Sequence, residues 1–190
     1  MAKKKLILLS APSGCGKTTI AKEILKRHPE ILFSVSATTR PIRSGETEGK
    51  DHFFLTQEDF LRRREDGGLV EWEEIFGNYY GTLKSEIDRA LSHGQAMLFD
   101  IDVKGALSIH RRFPDDTAAI FIKPPSFEVL KKRLEGRRTE DPETLKRRLD
   151  RVPMELEQGN AFDYQVVNDN LQKAVEEIDA IVIRCIKESK

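Results

Sequence analysis

The sequence predicts an α/β fold, in which a mainly parallel sheet carries helices on both faces. Short continuous apolar runs alternate along the chain with segments whose apolar residues recur at helical spacing, a pattern typical of buried parallel strands joined by amphipathic helices. The first apolar run also leads through a glycine-rich loop directly into a helical segment. A chain of 190 residues suits one globular unit with a sizeable core.

The first strand and helix have the clearest local signals. The run Leu6-Ile7-Leu8-Leu9 is continuously apolar, as expected for a strand buried on both faces. A helix is predicted over 18–27, because apolar residues recur there at helical spacing and Pro29 follows as a stop. A second strand is predicted over 32–36.

Residues 38–81 are polar and turn-rich, which predicts a small α+β insertion outside the main sheet. It contains a predicted strand over 53–55 and a helix opened by Thr56, which forms an approximate capping box with Asp59. Apolar and polar residues alternate over 69–75, which is typical of a strand, and Gly77-Asn78 follows as a hairpin signal. Thr82 is a candidate cap for a helix that runs to residue 92. Trp72 and Tyr79 are expected to be packing residues.

The rest of the chain continues the alternation of strands and helices. A strand over 96–99 ends in Asp100 and Asp102, and a helix over 103–112 and a strand over 118–122 follow. After Pro124-Pro125 we expect two basic helices, over 127–135 and from 142 to about 158, with a kink at Pro153. A strand over 164–167 and a helix over 171–187 complete the predicted fold.

Composition excludes several classes of protein. The 32 Lys and Arg residues balance the 32 Asp and Glu residues, which argues against a polybasic nucleic-acid-binding protein. Cys15 and Cys185 cannot form a disulfide framework, and this favours a reducing compartment. The apolar run after the basic N-terminus is too short for a signal peptide or a membrane span. We therefore expect a cytoplasmic protein with no membrane or nucleic-acid partner; whether it is a monomer or a homo-oligomer stays undetermined.

Residues 11–18 carry the most specific motif. They read Ala11-Pro12-Ser13-Gly14-Cys15-Gly16-Lys17-Thr18. A position between a predicted strand and a predicted helix is the context that an ATP phosphate-binding loop requires. Lys17 would reach the β- and γ-phosphates, and the Thr18 hydroxyl would bind Mg²⁺ directly. Ala11 replaces the first glycine of the strict motif, which is tolerable where positive φ is not needed. Cys15 is either a redox-sensitive thiol or, as we favour, a small residue that fits the loop.

Further motifs extend along nearly the whole chain. They are FSVSATTRPIR at 33–43, GKDHF at 49–53, EW at 71–72, GNYYGT at 77–82, DID at 100–102, KRLEGR at 132–137 and VND at 167–169. Together with the phosphate loop, this set resembles the guanylate kinase family. The resemblance implies a three-layer P-loop core over 1–35, 86–122 and 155–190, a GMP-binding insertion over 36–85 and a helical lid over 123–154. These parts make one domain that spans about 4–187.

The resemblance implies an ATP- and Mg²⁺-dependent transfer of the γ-phosphoryl group to GMP, in the recycling of GMP within purine nucleotide metabolism. ATP and GMP are the implied partners, with Mg²⁺ as cofactor. The implied GMP-binding residues are Ser36, Arg40, Arg43, His52, Glu71, Tyr80, Thr82 and Asp102. Two physical arguments agree with this assignment. The adjacent donors of guanine suit a carboxylate such as Glu71, and guanidinium forks suit a phosphate dianion.

Two of these assignments have alternatives. His52 stands where the family often has a phosphate-binding tyrosine, and it is either a ligand or only a loop histidine. Thr82 either reads the base or only caps a helix. Asp100 is a candidate for the outer shell of the magnesium ion.

The segment over 131–151 is rich in Lys and Arg, and it is either a lid over the ATP phosphates or a solvated basic surface. The lid interpretation adds Arg133, Arg137 and Arg148 to Lys17 and Arg40 as catalytic residues. Asn168 is a candidate for adenine binding. The alternative function is a non-catalytic, guanylate-kinase-like scaffold that binds phosphopeptides, and the intact Gly16-Lys17-Thr18 favours the enzyme.

Overall fold

Two β-sheets organise the protein in the computed structural model, which describes residues 4–75, 77–136 and 142–187. The strands are β1 (Leu6–Ser10), β2 (Leu32–Phe33), β3 (Ala37–Thr38), β4 (Phe53–Phe54), β5 (Leu69–Ile75), β6 (Asn78–Leu83), β7 (Met97–Asp100), β8 (Thr117–Lys123) and β9 (Tyr164–Val167). The main sheet has the order β2-β7-β1-β8-β9, and all its pairings are parallel. The second sheet has the order β4-β3-β6-β5. The α/β fold is therefore confirmed.

Seven helices connect these strands in the part of the chain that the structure describes. They are α1 (Lys17–Arg27), α2 (Gln57–Glu65), α3 (Lys84–His93), α4 (Val103–Arg112), α5 (Phe127–Glu135), α6 (Pro142–Gln158) and α7 (Leu171–Ile186). Polar side chains cap four of them and so pair otherwise unsatisfied N–H groups. The caps are Thr56 on α2, Asp102 on α4, Ser126 on α5 and Asn170 on α7. Pro153 lies within α6, and the kink expected there stays a prediction.

Both faces of the main sheet are covered by helices. Alternate residues of β1 point to opposite faces, so that Ile7 and Leu9 join one core cluster while Leu6 and Leu8 join the other. Helices α1 and α7 cover the first face, and α3 and α4 cover the second. This explains why the strands are continuous apolar runs. Among the described residues, no helix has the length and apolar content that a bilayer span requires.

The second sheet has a small core of its own. Ala37, Phe60, Leu69 and Leu83 form it. Tyr79 stacks on Phe60 with ring centroids 5.4 Å apart, so its expected packing role is confirmed. The helix α2 of this unit begins at the predicted Thr56, whose hydroxyl accepts the N–H of Asp59 at 3.1 Å.

Two local predictions were wrong. The strand expected over 32–36 is divided, because the chain leaves the main sheet after Phe33 and enters the second sheet at Ala37. Between them the N–H of Val35 donates to Glu86 Oε2 at 3.0 Å. Thr82 is not a helix cap, since it lies in β6 opposite Glu71. The α3 helix starts after Leu83 without a side-chain cap.

Candidate active site

A cleft lies at the carboxyl edge of the main sheet, between this edge and the second sheet. The parallel register sets Leu9 of β1 beside Asp100 of β7, so the loops after both strands emerge side by side, where ligands of α/β sheets bind. The cleft contains two adjoining cavities of about 500 Å³ and about 490 Å³. Lys17, Thr18 and Tyr80 line both. Each cavity has the size of a small-molecule pocket.

The glycine-rich loop forms one wall of the first cavity. Gly14 and Gly16 have φ angles of 89° and 84°, a region that side chains with a Cβ rarely adopt. Gly14 is also crowded, since a Cβ added there would lie 2.9 Å from Leu134 Cδ2. Gly16 is the N-cap residue of α1, so the free N–H groups of the first helical turn adjoin the loop. This arrangement is suited to binding phosphates.

Asp100 ties the side chains of Lys17 and Thr18 together. Lys17 Nζ lies 2.6 Å from Asp100 Oδ1 and 2.8 Å from the carbonyl oxygen of Ile101. The Thr18 hydroxyl donates to Asp100 Oδ2 at 2.7 Å. Burial alone would raise the pKa of Asp100, but the Lys17 charge and the two hydrogen bonds hold this pKa below its usual value. Asp100 is therefore a carboxylate beside the loop.

These groups fit a magnesium ion better than a metal held by protein side chains alone. Thr18 and Asp100 present hard oxygen donors within 2.7 Å of each other at the loop. Over 4–75, 77–136 and 142–187 no three His, Cys, Asp or Glu side chains converge on a metal-binding point. Mg²⁺ typically binds with few protein ligands and completes its shell with water and phosphate oxygens.

One predicted lid arginine contacts the loop directly, and a second contacts it through Asn168. Arg148 Nη1 donates to the Ser13 hydroxyl at 2.9 Å. Arg133 Nη1 donates to the carbonyl oxygen of Asn168 at 3.0 Å, and Asn168 Nδ2 donates to the carbonyl oxygen of Cys15 at 2.8 Å. Asn168 is thus a buried support of the loop, a role that sequence reasoning missed. Arg137 lies outside the described residues.

Arg40 is held rigidly beside the first cavity. Its Nη1 and Nη2 donate to the two carboxylate oxygens of Glu46 at 2.9 and 2.8 Å. Glu46 also accepts the N–H of Arg43 at 2.8 Å. Hydrogen bonds from Arg40 and from the Arg43 backbone lower the pKa of Glu46 to about 2. Sequence reasoning missed Glu46, because one acid in a charged loop carries no signal of its partner.

Glu71 is a buried acidic residue of the second cavity, with 8% of its surface exposed. Burial raises the pKa of Glu71 to about 7; the Thr82 hydrogen bond opposes this rise, and the Asp102 charge adds to it. Asp102 Oδ1 accepts the N–H of Gly105 at 3.0 Å and so begins α4. Gly105 was also missed: a Cβ there would lie 2.7 Å from Glu71 Oε2. The missing side chain makes room for the carboxylate.

His52 contacts Ser36 in the second cavity, with its Nδ1 2.9 Å from the Ser36 hydroxyl oxygen. Burial and the nearby charge of Arg40 lower the pKa of His52. The imidazole is therefore biased toward its neutral form, which can still donate one hydrogen bond.

The cleft collects most of the predicted site residues. The second cavity is lined by the predicted base-reading residues Ser36, Glu71, Thr82 and Asp102, together with His52 and Tyr80. The first is lined by the whole loop and by Arg40, Arg43 and Arg148. Arg133 and Asn168 line neither. Arg147 and Arg151 line the first cavity but were not predicted; their positions within one turn of Arg148 on α6 were the available signal.

The thiol of Cys15 is expected to be unreactive in the folded protein. It is 1% exposed, and burial raises its pKa to about 12, although the Arg133 charge opposes the rise. At pH 8 only a small fraction of Cys15 is therefore in the reactive thiolate form, and its sulfur is buried away from reagents in solution. Iodoacetamide labelling followed by mass spectrometry should modify Cys15 only after unfolding in guanidinium. The structure supports the interpretation of Cys15 as a small residue that fits the loop. Labelling of Cys15 in the native protein at the rate of a free thiol would contradict it.

The comparisons with known proteins point to one family. A model of the guanylate kinase family matches residues 3–184. A guanylate kinase of Chlorobium luteolum is 48% identical over 174 residues, which cover 92% of this chain and 88% of that protein. A guanylate kinase of Salinibacter ruber is 49% identical over 178 residues, which cover 93% of this chain and 94% of that protein.

Solved structures agree with this result. The crystal structure of a guanylate kinase from Anaplasma phagocytophilum matches with a TM-score of 0.80 and 30% identity, and it covers all of this chain and 89% of its own. A shikimate kinase from Bacteroides thetaiotaomicron matches with a TM-score of 0.55 at 13% identity, covering 96% of this chain and 99% of its own. The second likeness concerns the fold alone.

Proposed function

The chain belongs to the guanylate kinase family, and from that premise we propose how its residues divide the reaction between them. The protein is a guanylate kinase, which transfers the γ-phosphoryl group of ATP to GMP and yields ADP and GDP. The observation that carries the assignment of roles is the junction of the two cavities at Lys17, Thr18 and Tyr80. A donor and an acceptor nucleotide can meet at such a junction. Nothing supports the non-catalytic scaffold.

The glycine-rich loop binds the ATP phosphates. Residues 11–18 surround the phosphates with backbone N–H groups, and Lys17 leaves Ile101 to reach the β- and γ-phosphate oxygens. Thr18 would hold Mg²⁺ directly, and Asp100 would lie in its outer shell. When bound, Mg²⁺ neutralises the charge that develops on the phosphates. Asn168 supports the loop from behind, and this contact favours a positioning role over direct binding of adenine.

The second cavity binds GMP. Arg40, Arg43 and Tyr80 hold its phosphate at the junction, and Glu46 keeps the Arg40 fork aligned. Glu71 accepts hydrogen bonds from the adjacent N1–H and amino donors of guanine, whereas adenine presents an acceptor at N1. The remaining base-reading residues are Ser36, Thr82 and Asp102. The neutral imidazole of His52 donates to the phosphate side of the cavity.

Catalysis rests on positioning and charge. The GMP phosphate has a second pKa near 6 and is therefore largely dianionic at neutral pH, so its oxygen attacks the γ-phosphorus without a dedicated base. Lys17, Arg40 and Arg148 surround the transferred group, and Arg133 and Arg137 complete the lid. These cations stabilise the charge spread over the equatorial oxygens and exclude water.

The two sheets support one part of the proposed division of the chain. We assign 36–85 to the GMP-binding insertion, 123–154 to the lid and the remaining segments to the core. All four strands of the second sheet lie within 36–85, which supports the bounds of the GMP-binding insertion. A cytoplasmic location is supported by two buried free cysteines, Cys15 and Cys185.

The assignment is tested by a coupled assay of ADP production with ATP and Mg²⁺. The acceptors GMP, AMP, CMP and UMP are compared at equal concentrations. We expect turnover with GMP that exceeds turnover with AMP by a factor of about 100 or more, because buried polar groups are left unpaired by the wrong base. Equal turnover of GMP and AMP would overturn the assigned base-reading roles.

We expect the affinity for GMP to fall below pH 7. The carboxylate form of Glu71 accepts both guanine donors, and the pKa of Glu71 in the free protein is about 7. Binding below that pH requires loss of a proton, so kcat/KM for GMP should fall about tenfold per pH unit. The control is KM for ATP, which should stay level between pH 6.5 and 8. A flat GMP profile across this range would contradict a buried, titrating Glu71.

A further inference from the structure

Glu73 joins three structural elements behind the guanine side of the cleft. It lies on β5 two residues after Glu71, and therefore on the same face of the strand. Its side chain is 13% exposed. Glu73 Oε1 lies 3.1 Å from Lys104 Nζ of α4 and 3.4 Å from Arg151 Nη2 of α6. One carboxylate oxygen thus connects the second sheet with a core helix and with the helix that carries Arg148.

Glu73 also adjoins a second carboxylate, that of Asp102. Glu73 Oε2 is buried and accepts no hydrogen bond from the described residues. Burial raises the pKa of Glu73, and so does the adjacent Asp102; Lys104 and Arg151 oppose the rise. Lys104 and Arg151 therefore pair with a carboxylate that itself adjoins Asp102, the carboxylate assigned to guanine.

Arg151 also lies beside the cleft. It lines the first cavity together with Asp102, and its Nε lies 3.4 Å from Glu155 Oε1 one turn further along α6. Three residues earlier on the same helix, Arg148 donates to Ser13 of the phosphate loop. A shift of Arg151 would thus affect the surroundings of Asp102.

We propose that Glu73 is a positioning residue for GMP selection, which pairs with Lys104 and Arg151 and thereby leaves the Asp102 carboxylate free to accept hydrogen bonds from guanine. The proposal rests on the proposed base-reading role of Asp102. Without Glu73, Lys104 loses its carboxylate partner and Arg151 retains Glu155; both cations then turn toward the adjacent Asp102 and compete with the base. Charged partners in a partly buried site form strong hydrogen bonds, so this competition weakens GMP binding.

The test compares Glu73→Gln with Glu74→Gln. Glu74 is the next residue on β5 and is exposed on the opposite face of the strand, so its variant makes the same change of charge away from the cleft. With GMP varied at saturating ATP, Glu73→Gln should raise KM for GMP about three- to tenfold, while kcat and KM for ATP change less than about twofold. Glu74→Gln should match the wild type.

A rescue separates this role from simple stabilisation. The triple variant Glu73→Gln, Lys104→Gln, Arg151→Gln lacks the cations that compete for Asp102, so KM for GMP should return to within about twofold of the wild type. A purely structural role predicts the opposite, since the triple variant loses every partner of the network. In the Asp102→Asn background, Glu73→Gln should raise KM for GMP no further, because the residue through which it acts is already changed.

The outcomes are distinguishable from a failure of the proposed function. If the wild type does not phosphorylate GMP, the function itself is wrong. If the wild type is active and Glu73→Gln leaves KM for GMP unchanged, the positioning role is overturned. The same conclusion follows if the triple variant binds GMP more weakly than Glu73→Gln while thermal melts show that all variants are folded.

Discussion

Replacement of Lys17 by alanine is expected to reduce kcat for GMP phosphorylation by a factor of about 1,000 or more, because it removes a cation aligned with the transferred phosphoryl group. Lys17 Nζ is held 2.6 Å from Asp100 in the free protein. It therefore stands beside Thr18 and Asp100, the groups proposed to bind magnesium, before ATP arrives. The measurement is kcat at saturating ATP and GMP in the coupled assay.

Lys26→Ala is the matched control for this variant. Lys26 belongs to the same helix, its side chain is 70% exposed, and it forms an ion pair with the nearby Glu23. Its kcat should equal that of the wild type. Circular dichroism should show both variants folded, since neither lysine belongs to the apolar clusters on the sheet. An unchanged kcat for Lys17→Ala would remove the glycine-rich loop from the chemistry.

Elements with strong local signals were predicted well. The helices Val103–Arg112 and Phe127–Glu135 and the strand Tyr164–Val167 have the bounds that the sequence predicts. The Thr56 cap was identified correctly as well. In each case the deciding interaction joins neighbours in sequence: a capping side chain, an apolar run or a break by proline or glycine.

Contacts between distant segments were beyond sequence reasoning. Threonine is a common helix-capping residue, but the hairpin register places Thr82 in β6 opposite Glu71. This strand pairing outweighs the local preference of threonine for a helix cap. The crossing between the two sheets after Phe33 likewise depends on where the second sheet forms. Glu73 gave no signal at all, since its partners Lys104 and Arg151 lie 31 and 78 positions away. Only the folded arrangement turns these charges into a network.

Glu71→Gln is expected to lower kcat/KM for GMP by a factor of about 100 and to reduce the preference for GMP over AMP. The glutamine amide presents one acceptor and one donor where the carboxylate presents two acceptors, so one guanine donor meets an N–H group. Adenine, with an acceptor at N1 beside its amino donor, matches that pattern better. KM for ATP should stay the same, because Glu71 lines the second cavity and not the first.

Folding should tolerate this change, which makes the kinetic result interpretable. The pKa of Glu71 is raised from its usual value to about 7, so the neutral carboxyl group is tolerated at low pH, and its ionisation lowers the stability of the fold progressively as the pH rises toward 7. At pH 8 the neutral glutamine avoids this cost, and the melting temperature should equal or exceed that of the wild type. Between pH 6.5 and 8 the fall in kcat/KM for GMP should become smaller in Glu71→Gln, because only the GMP phosphate, with its second pKa near 6, still titrates there. An unaltered KM for GMP, or a fall as large as that of the wild type over this range, would take base reading away from Glu71.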